Sequence, residues 1–470
     1  MKFKKWENQS GIIIIILIFL ISKLFSLFYY KRLLWDSAVY IGIGKYIYSL
    51  GNSGLWEYTR PILWPLIIGF FWKIGLNEIL TARIAEIFIS AFCIIFTYYI
   101  GKKIFNQKTG LIAALLLAVS PTFFYFSGML LSELISTFFS LAAVYSFLRK
   151  RYFITGVFFG LAFMTRFLQL LIFISLVLSI FLYNFKFSKE KCSKEYLKML
   201  LSISVGFVLS ILPFLILNQI LYSNLLFPFT QQYELSINSG WLNYMPINFY
   251  FLRMFRESPL YLLFVPALFY IFKNLTRYKL FIVLIFIITF SFFNLITQKE
   301  MRFLIILLPF MYLIISYFMV VIRGKIKGTY FKYIYFLILI FSISISVITT
   351  IKYYKDESSY INKYSNIQSM VGNAYGNIWI SNPLIITNND NKATNLMYYP
   401  YFSNNKKEEL VNENPDFVFM DTCDLACKQN DHECEIYKIE LISHFRENFN
   451  ITYSNEYNGC SQFVFTKLKN

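Results

Sequence analysis

The chain has 470 residues, 57% of them hydrophobic, and its mean hydropathy is +0.53. Soluble domains are about 45–50% apolar, so a wholly soluble protein is excluded. The formal charge of +18 sits mostly in the apolar part: residues 1–350 hold 33 Lys+Arg against 11 Asp+Glu, and residues 351–470 hold 11 against 15. That placement argues against nucleic-acid binding and makes the loop charges topology signals.

In chain order, "MKFKKWENQS" leads into "GIIIIILIFLISKLFSLFYY". The apolar stretch is long and has no small-residue cleavage site, so it reads as a first span and not as a removed leader. Lys23 inside it is expected to snorkel outward. Apolar runs predict eleven spans: 11–30, 78–101, 109–126, 133–148, 152–165, 167–184, 199–222, 257–272, 280–297, 303–322 and 333–350. With a cytoplasmic N-terminus, the inner connections hold 21 Lys/Arg in 51 residues and the short outer ones 10 in 93. This asymmetry follows the positive-inside rule. An odd number of spans then puts loops 31–77 and 223–256 outside together with the tail. The expectation is a multi-pass protein of the plasma membrane whose working parts face outward.

The tail, 351–470, is polar. "NIWISNPLIITNN" and "DFVFMDT" read as strands, "ECEIYKIELISHFREN" as a helix and "NITYSNEYNGCSQFVFTKL" as a hairpin. The chain therefore divides into a transmembrane module, 1–350, and a small outer α/β domain, 351–470. Cys423, Cys427, Cys434 and Cys460 suggest two disulfides with three possible pairings. The rival is a zinc site that includes His432. Cys93, in a span, and Cys192, in an inner loop, are expected to be thiols. Asn450-Ile-Thr452 is an outward glycosylation triplet.

Both histidines, His432 and His444, lie in the tail. No P-loop, G-x-S-x-G or H-E-x-x-H pattern occurs, so acid–base chemistry in the membrane module falls to a few carboxylates. Asp36, in "YYKRLLWDSAVYIGIGKY", is the only Asp of the first 350 residues. Just past the first span, it can take a proton from a hydroxyl, or it can cap the helix that follows. Glu133, in "SGMLLSELIST", can bind a metal or orient an acceptor, or serve as a helix-start acid. Glu300 is a further accessory acid on the outer side. Glu86, a turn from Arg83, reads as half of an ion pair. A lipid-phosphate leaving group needs outer cations, and the candidates are Arg60, Arg83, Arg166, Lys299 and Arg302.

Several stretches together resemble the GT-C superfamily of membrane glycosyltransferases. That group includes protein O-mannosyltransferases, the aminoarabinose transferase of lipid A and dolichyl-phosphate-mannose-dependent mannosyltransferases. Asp36 matches the position of their catalytic acid, and "YTRPILWPLIIGFFWKIG" resembles their R-P-P-L-x-P loop. The order from "TARIAEIF" through "GKKIFNQKTGLIAALLLAVSPTFFYFSG" to "YFITGVFFGLAFMTRF" follows their helices. "TQKEMRFLIILLPF" looks like their H-K-E-x-R-F element, with Gln298 in place of His; Ser37 follows Asp36 where many members carry Asp-Glu. The resemblance implies an all-α polytopic fold of about eleven spans, with outer juxtamembrane helices from both long loops and a small α/β tail domain. It implies transfer, with inversion, from a polyprenyl-phosphate sugar of the dolichyl type, mannose included, to a hydroxyl of a glycan, lipid or protein. Asp36 would be the base. A divalent ion, magnesium or manganese, on Asp36 and Glu133 is an open addition; no other cofactor is implied. Two readings stand beside transfer: a lipid or polysaccharide transporter, which needs polar groups spread through the spans, and a non-catalytic accessory subunit.

Overall fold

The computed structural model of the chain describes residues 2–29, 32–187, 194–238, 242, 244–325, 328–355, 367–368, 370, 376–397, 415–428, 430–457 and 459–467. Cys192 lies outside them. The chain divides into two compact units that do not follow chain order. One holds Met1–Lys31, Arg83–Leu225 and Met245–Ser358; the other holds Arg32–Ala82, Leu226–Tyr244 and Ser359–Asn470.

The first unit is helical. Its elements are α1 (Lys2–Tyr29), most of α4 (Glu78–Ile104), α5 (Gln107–Ala118), α6 (Pro121–Phe126), α7 (Ser132–Leu148), α8 (Tyr152–Thr165), α9 (Leu170–Phe187), α10 (Lys194–Tyr222), α12 (Phe249–Glu257), α13 (Phe264–Lys273), α14 (Arg277–Leu295), α15 (Leu308–Lys325) and α16 (Thr329–Lys355). Each predicted span overlaps one or more of these helices among the described residues. Among the described residues six helices are long and apolar enough to cross a membrane, seven if α12 and the 259–273 segment, bent by 119°, form one span. The other four predicted spans are apolar helices of 10–17 residues. The predicted span 109–126 is broken, because Ser120 precedes Pro121 and takes extended backbone (ψ 124°).

Polar groups inside this unit tie helices together. Lys23 does not snorkel: it is buried and donates to Phe124 O and Tyr354 Oη, both at 2.9 Å, joining α1, α6 and α16. A carbonyl and a phenol supply the acceptors that lipid lacks. Glu257 accepts from Thr122 Oγ1 (2.5 Å) and Tyr353 Oη (2.7 Å), joining α12 to α6 and α16. Cys93 is a buried free thiol.

The second unit is an α/β sandwich. Loop 31–77 supplies α2 (Trp35–Tyr48) and α3 (Leu63–Lys73), loop 223–256 supplies α11 (Phe227–Asn238), and the tail supplies α17 (His432–Asn448) with five strands. These are β1 (Ile378–Ile380), β2 (Ala393–Leu396), β3 (Phe417–Asp421), β4 (Phe449–Tyr457) and β5 (Cys460–Lys467), ordered β2-β1-β3-β5-β4. β1 runs parallel to β2 and β3; β5 runs antiparallel to β3 and β4. The expected strands, helix and hairpin are all present, and β2 is additional.

Strand period sends alternate side chains to opposite faces. On one face Ile378, Ile380, Phe417, Phe419 and Val464 join Val39 and Ile43 of α2 and Leu55 in a single core. On the other, Trp379, Val418, Met420, Phe463 and Phe465 pack with Leu441 and Phe445 of α17. The helix after the first span is thus one layer of the tail's sandwich. The four tail cysteines form Cys423–Cys460 and Cys427–Cys434, which removes the zinc reading. Asn450 is exposed on the edge strand β4.

Gly44 and Gly69 let α2 and α3 touch backbone to backbone. A Cβ on Gly44 would sit 2.6 Å from Pro65 O and 2.8 Å from Gly69 N. Gly44→Ala should therefore lower the thermal midpoint of the solubilised protein by the equivalent of about 1–3 kcal/mol. Gly324→Ala, with nothing within 4 Å of the added carbon, should not lower it. Equal midpoints would contradict this packing.

Candidate active site

In the second unit, α2 begins at Trp35 and Asp36 lies in its first turn. The cap position is Leu34, with no side-chain cap bond. The Asp36 carboxylate instead meets Arg60, with Oδ1 2.9 Å from Nη2. Arg60 is held from behind: its Nε donates to Glu57 Oε1 at 3.3 Å, and Thr59 Oγ1 donates to the same oxygen at 2.8 Å. The Asp36 side chain is 14% exposed and that of Glu57 5%. Arg60 is thus shared between one buried carboxylate and one that reaches the surface. Two carboxylates thus meet this guanidinium, and an ionised carboxylate is an acceptor of hydroxyl protons.

In the first unit, a second centre forms around Glu133 in the first turn of α7. Its Oε1 lies 2.9 Å from Arg166 Nη1 and 3.6 Å from Arg302 Nε. Arg302 is also ion-paired with Glu300, its Nε 2.7 Å from Oε2, and its Nη2 donates to Oε1 at 2.9 Å. Both guanidinium groups lie over the Phe303 ring, 5.1 and 5.7 Å from its centroid. Arg166 Nε is buried and has no hydrogen-bond acceptor among the described residues.

Local backbone breaks aim these groups. α8 ends at Arg166, which is extended (φ −156°), and a 3-10 turn, Phe167–Gln169, follows. Gln169 then zips onto α7, donating to Ser136 Oγ (2.8 Å) and accepting from Ser140 Oγ (2.7 Å). Ahead of α7, Leu130 takes the left-handed conformation (φ 60°). Glu86 holds that turn by accepting the Leu130 and Leu131 N–H groups at 2.6 and 3.0 Å. Its role as a backbone clamp, and that of Gln169, had no signal in the sequence, because both act on partners distant in the chain.

Of the predicted site residues, Asp36 and Arg60 come together in one unit, and Glu133, Glu300, Arg166 and Arg302 in the other. Arg83 is buried on α4 a turn before Glu86. Lys299 donates to Met245 O (2.9 Å) and Ile296 O (2.6 Å), anchoring its loop, and burial lowers its pKa. A guanidinium 2.9 Å from Asp36 and another from Glu133 oppose a further cation on either carboxylate. Among the described residues the one cluster of three metal-type ligands is Asp421, Cys423 and Cys460, whose sulfurs form a disulfide. These residues do not fit a divalent ion, and no step below runs through one.

Comparison with solved structures covers the whole chain. ArnT from Cupriavidus metallidurans bound to undecaprenyl phosphate matches with a TM-score of 0.67 at 10% identity, over 98% of each chain. The oligosaccharyltransferase AglB from Archaeoglobus fulgidus, in complex with an inhibitory peptide and a dolichol-phosphate, matches with 0.60 at 14% identity, over 98% of this chain and 74% of that one. A form of the archaeal enzyme with Zn and sulfate matches with 0.55 at 13% identity, over 87% and 68%. The chain has the fold that ArnT and AglB share. The family model for dolichyl-phosphate-mannose-protein mannosyltransferase matches residues 59–217, a stretch that includes Arg60, Glu133 and Arg166. No curated protein matches the sequence.

Removing Glu133 would leave two guanidinium groups without their shared, buried counter-charge. Glu133→Ala is expected to cost about 3 kcal/mol. Glu300→Ala, at a carboxylate 30% exposed, should cost about 1 kcal/mol or less. Thermal unfolding of both variants checks the order; equal losses would contradict it.

Proposed function

We propose that the chain is a membrane glycosyltransferase that moves a sugar from a polyprenyl-phosphate donor to an acceptor hydroxyl on the extracytoplasmic side, with inversion. The observation that carries the reading is the Asp36 carboxylate, presented by the first turn of α2 and held by Arg60. The GT-C fold along the full chain and the mannosyltransferase family match support it.

In this mechanism the acceptor oxygen attacks the anomeric carbon and gives its proton to Asp36. The bond from that carbon to the phosphate oxygen breaks, and polyprenyl phosphate leaves with the electron pair. Attack opposite the leaving group inverts the anomeric centre. Phosphate is a good leaving group, so the larger demands are placement of the hydroxyl and stabilisation of the departing charge. Arg166 and Arg302 are the phosphate ligands in this reading, and the buried Arg166 Nε is a donor without a protein acceptor among the described residues. Arg60 orients Asp36. Glu133 and Glu300 hold the two phosphate-binding arginines in place.

Mannose is the first sugar to test, because the matching family model describes mannosyl transfer. The fourfold excess of basic residues in the inner connections supports a cytoplasmic N-terminus. The two tail disulfides suit the oxidising outer side of a plasma membrane.

Purified protein incubated with a panel of polyprenyl-phosphate sugars, dolichyl-phosphate mannose first, should release free polyprenyl phosphate and form an inverted glycoside. A transporter would move the lipid with its sugar bond intact, and an accessory subunit would do neither. Absence of polyprenyl phosphate with every donor would overturn the proposal.

A further inference from the structure

α2 carries Asp36 in its first turn and Lys45 in its last. Nine residues apart, they face opposite sides of the helix and lie about 13 Å apart along its axis. The Lys45 side chain is only 3% exposed. Its ammonium lies 3.0 Å from Glu78 Oε1 and 3.3 Å from Asp390 Oδ1. It also donates to the carbonyl oxygens of Thr387 (3.2 Å) and Asn389 (2.9 Å). Four oxygens therefore surround three N–H donors, which leaves Lys45 no capacity for a substrate anion.

Three of the four oxygens belong to one tail segment, 387–390, which is gripped elsewhere too. Trp72 Nε1 donates to Asp390 Oδ1 at 2.9 Å. Gly54 N–H donates to Asn391 O at 2.9 Å, and Gly54 O accepts from Ala393 N–H at 2.8 Å. The apolar contacts of Val39 and Ile43 choose which face of α2 meets the sheet. Apolar contact is non-directional and tolerates sliding. The directed bonds of Lys45 set where along the sheet, and at what rotation, the helix stops.

We infer that Lys45 is a positioning residue for Asp36, and that through it the tail sets the geometry of the proton-accepting carboxylate. This rests on the reading of Asp36 as the base. It makes the tail a working part of the transferase whether or not it touches an acceptor.

The test uses the full-length protein with dolichyl-phosphate mannose as donor probe. Lys45→Met keeps the aliphatic stem and removes the charge; Lys45→Arg keeps the charge; Asp390→Asn removes one exposed partner and leaves the core alone. Lys45→Met should lower kcat about 10–100-fold with the donor KM within about twofold. Lys45→Arg should recover most of that loss, and Asp390→Asn should lower kcat about threefold. Amide exchange at residues 36–41, the far end of the helix, should quicken in Lys45→Met and slow again in Lys45→Arg. Unchanged exchange at 36–41 in both Lys45→Met and Asp390→Asn, or a loss expressed in donor KM alone, would overturn the inference. A wild-type protein that releases no polyprenyl phosphate defeats the reading of Asp36 instead, and the exchange comparison still decides whether Lys45 orders the start of α2.

Discussion

One packing contact underlies the second unit: a sheet face of Ile378, Ile380, Phe417, Phe419 and Val464 laid against Val39 and Ile43 of α2. Full burial of one such side chain is worth about 1.5–3 kcal/mol, so the two α2 residues contribute substantially to holding the helix on the sheet. The partners are more than 300 residues apart in sequence. Loop-closure cost grows only with the logarithm of length, so that distance adds little. The other face of the sheet is covered by α17, which leaves α2 as the remaining layer. The helix that presents Asp36 is therefore built by the end of the chain.

The first unit uses a different device. Its site is made of charges taken out of water, which adds little net stability against an apolar core of the same shape. Its value lies in direction. A break at the end of α8 turns Arg166 toward Glu133, and Glu86 clamps the turn that starts α7. Arg302 reaches the same carboxylate from a 3-10 segment, Met301–Ile306, while it stays paired with Glu300. Two arginines thus converge on one buried acid without any regular helix having to bend. In the proposed reaction, charges fixed in this way would need no rearrangement as the phosphate leaves, which is where electrostatic catalysis draws its effect.

Much of this was legible in the sequence, for reasons that separate local from distant signals. The spans follow from apolar runs, and the tail strands and helix from period alone. Asp36 stood out because no other Asp precedes residue 356. The rest depended on contacts that leave no local trace. Val39 and Ile43 look the same whether they meet lipid or a sheet. "ATNL" is too polar to read as β2, yet it pairs with β1. Lys23 sits in an apolar run, and only the arrival of Phe124 O and Tyr354 Oη keeps it inside. Four cysteines allow three pairings, and only the folded tail selects one.

The central claim is that the Asp36 carboxylate takes the acceptor's proton while other groups bind the donor. It is tested most directly by single-turnover transfer on Asp36→Asn, with donor binding measured on the same sample. The account predicts donor affinity within about twofold of wild type and a transfer rate lower by about 10²–10⁴-fold. Transfer at the wild-type rate with the carboxylate gone would contradict it.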